Sequence, residues 1–288
     1  MKLLQKNYTV TTARQPRNKQ ISTMEKGKRK TGFWFALPFL LGFIAFYLYP
    51  FWVMLKNSFT LGAGGHLFVG IENYVELWNN TLFRRAAKNT LLYISIGVPL
   101  LLCLSVLLSV VFYKAVHKAK LLQLVFVFPM VMPVSATVVM VHSFLQGVQP
   151  DMAQLILLFI WKNVGYNMIL LLAGLAMIPR EYYESSRLDG ASGWKNFQHI
   201  TLPLLLPMLF LAFLVSVLDI FKSFREVLLL GGDNPEESIY MIQNFVNSNF
   251  QNLNFQRLCI AMMFICIVVF TMIGVVYGIY HIIQRRYV

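Results

Sequence analysis

The stretch Pro179-Arg-Glu-Tyr-Tyr-Glu-Ser-Ser-Arg-Leu-Asp-Gly-Ala-Ser-Gly-Trp-Lys-Asn-Phe-Gln-His-Ile-Thr-Leu-Pro203 is polar, and it lies between two long apolar runs, residues 155–178 and 202–221. About 20 consecutive apolar residues cross the hydrocarbon core of a bilayer as a helix. Both runs meet that length, so the polar stretch is a loop held between two spans. Its residues predict two short helices around a turn. Pro179 suits a helix start, and Glu181 and Glu184 place negative charge in the first turns, where it complements the helix dipole. Glu184 and Arg187 are three apart, a spacing that allows a pair on one face. Asp189-Gly190 supplies turn chemistry. Ser192 is the expected N-cap of a second short helix running to His199. A compact helix–turn–helix between two spans can act as a rigid knob that enters a cleft on a cytoplasmic partner. The plain alternative is a solvated connector.

Outward from this loop, the pattern repeats. The 288 residues are 57% hydrophobic with a mean hydropathy of +0.60, and only 13% are charged. Soluble domains are about 25% charged. Apolar runs at about 33–55, 90–113, 121–145, 155–178, 202–221 and 258–283 predict six transmembrane helices in an all-α polytopic membrane protein, a transmembrane domain over 33–288. Pro129 and Pro133 fall inside the third run, and neighbouring helices can satisfy the carbonyls they free. Residues 1–32 read as a basic cytoplasmic tail, disordered or lying on the membrane surface. Gly62, Gly64, Gly65, Gly70, Gly231, Gly232 and Pro235 mark turns between spans.

Charge sets the orientation, because Lys and Arg concentrate on the cytoplasmic side. With both termini in the cytoplasm, inside segments hold seventeen Lys and Arg against seven outside. This places 179–203 in the cytoplasm and the chain in the cell membrane. The net charge of +13 belongs largely to the tail before the first span, which argues against nucleic acid. A cleaved signal peptide is not expected, since the first apolar run is too long and no small-residue cleavage site follows. Cys103, Cys259 and Cys266 lie in apolar runs without metal-ligand spacing and read as small buried hydrophobes.

The pattern Glu184-Ser185-Ser186, then Gly190, then Ile200-x-Leu202-Pro203 resembles the EAA loop of membrane subunits in binding-protein-dependent ABC importers. Ser185 and Ser186 stand where the family has two alanines. Ile178-Pro179, Leu188-Asp189-Gly190-Ala191-Ser192, Gly70-Ile71-Glu72-Asn73-Tyr74, Asn89-Thr90 and Gly231-Gly232-Asp233-Asn234-Pro235 resemble the carbohydrate, maltose-type branch. The resemblance covers roughly residues 33–288. It implies a permease subunit that moves a sugar or related polar solute inward. Its partners would be cytoplasmic ATP-binding subunits, a second permease and an extracytoplasmic solute-binding protein, all working at the lipid bilayer. It implies that Glu184 contacts the ATPase and that Asp189-Gly190 forms the tight turn. The chain has no GxxxxGK[ST] phosphate loop, so the energy comes from another chain. Two departures are the short link Gln146–Gln154 and Arg225 after Phe224, where sugar permeases often carry an acid.

Polar residues within spans are candidates for the solute path, because a charge at mid-bilayer costs about 2.5–3.5 kcal/mol on insertion scales and faces protein or water. Lys162, Asn163, Tyr166 and Asn167 form the densest such group. Asn163 and Asn167 share a helical face, and amides beside an aromatic ring suit sugar hydroxyls and sugar faces. Against this, Lys162 can snorkel outward and the asparagines can bond neighbouring helices. Asp219 with Lys222 and Ser223 is a second candidate, or a structural ion pair. Gly274 and Gly278 offer a small-xxx-small face. No catalytic constellation, metal set or cofactor motif stands out, so an enzyme is not expected. An ion-coupled secondary transporter remains the alternative, but it would need buried acids along its path, and the spans hold almost none.

Overall fold

The computed structural model describes residues 23–61, 67–114, 120–144, 151–232 and 235–287. Most of the basic tail, the residues between Lys114 and Lys120, Leu145 with residues 146–150 of the short link, three of the first glycine turn signals, and Asp233-Asn234 lie outside the described residues. The chain divides into two units, Met1–Val53 and Met54–Val288.

The first unit holds α1 (Thr23–Phe43), a π turn (Ile44–Leu48) and the start of α2 (Tyr49–Ser58). These run on as one apolar helix, Thr31–Ser58, long enough to cross a membrane. Phe39, Phe43 and Tyr47, four residues apart, stack along one face. Helix α1 begins at Thr23, so the last ten residues of the expected tail are helical.

In the second unit, the two-residue strands β1 (Thr60–Leu61) and β2 (Leu67–Phe68) pair antiparallel, and α3 (Glu72–Asn79) follows. The buried Asn73 amide donates to the Ser58 and Thr60 carbonyls at 3.1 Å, and Tyr74 donates to the Ser58 hydroxyl at 2.8 Å. The Asn73-Tyr74 pair thus clips α3 to the end of α2. Helix α4 (Thr81–Lys114) starts nine residues before the expected span. The Asn80 carboxamide accepts from the Phe83 N–H at 3.0 Å and caps it, so the helix starts ahead of its apolar run. Asn89 and Thr90 then pin the later loop that leads into α12. The Asn89 amide donates to the Glu237 and Tyr240 carbonyls at 2.8 and 3.0 Å, and the Thr90 hydroxyl accepts from the Ile242 N–H at 3.0 Å.

The third apolar run is not one straight helix. Helices α5 (Lys120–Val131) and α6 (Val134–Phe144) meet at 105° across Met132-Pro133. Pro133 has no N–H to give the Pro129 carbonyl, and its ring clashes with that turn. Helix α7 (Met152–Ala176) is the most buried span and crosses α4, α5 and α10. Gly165 permits the α5 crossing, because a Cβ there would collide with the Phe126 carbonyl. At the expected seam, a Cβ added to Gly274 or Gly278 would meet nothing within 4 Å among the described residues.

After the polar loop of residues 179–201 come α10 (Leu202–Lys222) and α11 (Phe224–Gly231), broken only at Ser223. Then follow α12 (Ile242–Gln251) and α13 (Phe255–Tyr287), whose first turn is capped by Asn254. Five described helices are long and apolar enough to cross a membrane, and the bent α5–α6 pair is a sixth if counted as one span. The main core gathers Tyr93, Leu101, Leu155, Phe159, Val217 and Ile220 from α4, α7 and α10. Cys259 is buried as expected, but Cys103 faces outward from α4.

Candidate functional site

The loop between α7 and α10 folds as two short helices. Pro179 is the N-cap of α8 (Arg180–Leu188), and its extended backbone breaks the continuation from α7. Helix α8 ends in a Schellman motif. The Ala191 N–H donates to the Ser186 carbonyl at 3.0 Å and the Gly190 N–H to the Arg187 carbonyl at 3.1 Å, with Gly190 at φ +72°. A side chain at position 190 would be strained by this backbone, although the space around it is open. Ser192 caps α9 (Gly193–Asn196) by accepting from the Lys195 N–H at 3.4 Å. The second short helix does not end at His199. It passes through a π turn, Phe197–Thr201, straight into α10, because nothing between Gly193 and Leu202 interrupts the helical hydrogen bonds.

One side-chain contact ties the two halves of the loop together: the Tyr183 and Thr201 hydroxyls lie 3.0 Å apart. Ile200 and Tyr183 pack on the cluster of Leu171, Leu175, Ile178 and Leu205. Glu184, Tyr182, Leu188 and Trp194 are exposed, with Leu188 90% accessible. Trp194 stacks on Phe197. Ser185 and Ser186 donate back to the Tyr182 and Tyr183 carbonyls, so their hydroxyls are occupied within α8. Asp189 is the exposed C-cap residue of α8, and Leu202 and Pro203 are the first two residues of α10. Glu184 and Arg187 form no ion pair with each other.

The intramembrane candidates separate. Lys162 lies ten residues into α7, roughly 15 Å along its axis at 1.5 Å per residue, and it does not snorkel. Its Nζ meets the Glu226 carboxylate of α11 at 2.5 Å, and both side chains are largely buried. Glu226 was not among the expected site residues, since it falls in a segment that reads as a polar loop. The available signal was an acid opening the apolar run Val227-Leu-Leu-Leu230. The other Glu226 oxygen is buried without a hydrogen-bond partner among the described residues, which is a costly state for a carboxylate. Nearby, the buried Tyr93 hydroxyl lies 3.4 Å from both the Ser223 hydroxyl and the Leu155 carbonyl.

Asn167 is 0% exposed; its amide donates to the Asn163 carbonyl and its oxygen accepts from Ser216 of α10. Asn163, whose amide donates to Phe159, and Tyr166 are half-buried. Asp219 pairs with Lys222 at 2.8 Å, one turn apart on α10. Among the described residues no group of three or more His, Cys, Asp and Glu side chains is placed to hold a metal.

Residues 31–288 match the family described as binding-protein-dependent transport system inner membrane component. The chain belongs to this family. As a member of this inner membrane family, it is similar to the arabinooligosaccharides transport system permease protein AraP of Bacillus subtilis (strain 168), with 31% identity over 241 residues covering 74% of this chain and 75% of that protein. It is 27% identical over 231 residues to the lactose transport system permease protein LacF of Rhizobium radiobacter, covering 72% and 78% of the two chains. Its fold resembles a chain of a bacterial ABC transporter involved in the import of the acidic polysaccharide alginate, with a TM-score of 0.74 at 20% identity over 90% of this chain and 99% of that one. A bacterial alginate ABC transporter in complex with alginate pentasaccharide-bound periplasmic protein matches at a TM-score of 0.75 and 20% identity, over 91% and 97% of the two chains.

Proposed function

We propose that the chain is the permease subunit of an ABC importer for a carbohydrate or related polyol. In this reading the 179–203 knob docks on a separate cytoplasmic ATPase, both termini are cytoplasmic, and the chain performs no chemistry of its own. The observation that carries it is the knob itself: a helix closed by a Schellman turn and fastened to the foot of α10 by Tyr183 and Thr201. Such a body transmits movement of a partner to α7 and α10 instead of absorbing it. The exposed Glu184 makes the polar contact, with Tyr182, Leu188 and Trp194 as the apolar surround, and Ile200, Leu202 and Pro203 join the knob to the span. Sugar cargo is supported by the arabinooligosaccharide and lactose permeases among its relatives. A second permease completes the path, and an external solute-binding protein delivers the cargo. Along the path, Asn163 and Tyr166 keep accessible surface for solute, while Lys162 and Asn167 tie α7 to α11 and α10 and Asp219 pairs within α10.

Glu184→Lys tests the docking. In reconstituted transporter, ATP-driven uptake is expected to fall at least tenfold, with the ATPase lost from the purified complex or active without transport, while membrane insertion is unchanged. Normal uptake by this variant would refute the docking role.

A further inference from the structure

A cleft of about 620 Å³ opens between the foot of α4, the end of α7 and the inner side of α8. Its wall is apolar, formed by Val110, Leu175, Ala176 and Ile178. Its rim carries Lys114, Arg180 and Arg187 against the single acid Glu184. None of the three cations forms an ion pair among the described residues. Two surplus positive charges therefore sit at the membrane boundary beside an apolar wall. The Tyr183 and Thr201 hydroxyls add polar groups at the inner end.

We propose that this cleft binds an anionic phospholipid, its phosphate headgroup at Lys114, Arg180 and Arg187 and its acyl chain along Val110, Leu175 and Ile178. A soluble anion would satisfy the rim but leave the apolar wall in water, and the cleft is far larger than one phosphate. A lipid satisfies both surfaces, and basic pockets between spans recruit acidic headgroups in this way. The lipid would touch α8 directly, beside Glu184, so its occupancy would stiffen the knob next to its docking contact. Assigning it to the cytoplasmic leaflet rests on the docking reading of α8; the binding itself does not.

The test is lipid retention by the assembled transporter in nanodiscs, read by native mass spectrometry with phosphatidylglycerol and phosphatidylcholine as probes. Phosphatidylglycerol is expected to be retained several-fold over phosphatidylcholine. Each neutralising change, Lys114→Gln, Arg180→Gln or Arg187→Gln, is expected to lower that retention about fivefold, since a cation at an anionic surface contributes ~1 kcal/mol. The charge-keeping set Lys114→Arg, Arg180→Lys and Arg187→Lys is expected to preserve it, which controls for misfolding. Lys114→Gln lies outside the docking loop, so its effect separates lipid binding from ATPase contact. Equal retention of the two lipids, or indifference to Lys114→Gln, overturns the proposal. Displacement of the bound lipid by millimolar glycerol phosphate, which lacks an acyl chain, would reassign the cleft to a soluble anion and overturn it as well.

Discussion

The α8–α9 knob and the α7–α11 contact both rely on polar residues, yet they are held together in opposite ways. In the knob, acids and bases are exposed, and shape comes from backbone: a proline start, a Schellman turn at Gly190 and a serine cap. In the membrane, Lys162 and Glu226 face inward and hold each other. Water screens the charges of the knob, so no single pair decides its structure. Hydrocarbon screens nothing, so the buried lysine requires its acid. The loop can therefore change its charges and keep its fold, whereas the span cannot.

The sharpest way to break this contrast is Lys162→Met. It leaves Glu226 charged, buried and without its one partner, and is expected to cost about 3–5 kcal/mol. A large fall in the thermal midpoint of the purified protein would be the sign. Adding Glu226→Met should recover most of that loss, since replacing both members of a buried pair is often neutral. A single variant as stable as the double would mean that the pair is not needed to hold α11.

Gly190→Val probes the other half. Forcing a β-branched residue to φ +72° is expected to cost about 1–2 kcal/mol, which unfolds the turn locally and leaves the spans intact. It should appear as weaker ATPase co-purification with an unchanged melting midpoint. Gly190→Asn should be much milder, because asparagine tolerates this backbone. An equal loss with both variants would point to side-chain contact at the docking face instead of backbone strain.

The smallest effect separates the two asparagines. Asn167→Ala removes a buried contact to Ser216 and is expected to lower stability by about 1 kcal/mol. Asn163→Ala should leave stability nearly unchanged and reduce uptake several-fold. If both variants lose stability alike and transport alike, neither amide meets solute.

Apolar run length and the spacing around Glu184, Gly190 and Pro203 were enough to read the class of fold, the loop and its two-helix shape. Local chemistry at these positions acts over a few residues, so a sequence displays it directly. The ends of the helices were less legible. Asn80 extends α4 beyond its apolar run, and the π turn after Asn196 carries the loop into α10, because hydrogen bonding can continue a helix where hydropathy has already changed. Pro133 was visible as a proline but not as a 105° bend, since the angle depends on what the two halves pack against.

The site divided along the same line. Sequence by itself determined that this is a membrane chain with a built polar knob, because burial in lipid imposes long apolar runs and turns impose their own residues. Only the tertiary structure decided that Lys162 is answered by Glu226, 64 positions away, that Asn167 meets Ser216, and that Gly165 rather than Gly274 marks the close approach of backbones. The physical reason is that a charge, an amide or a missing side chain states a need, and three-dimensional folding selects the partner that meets it.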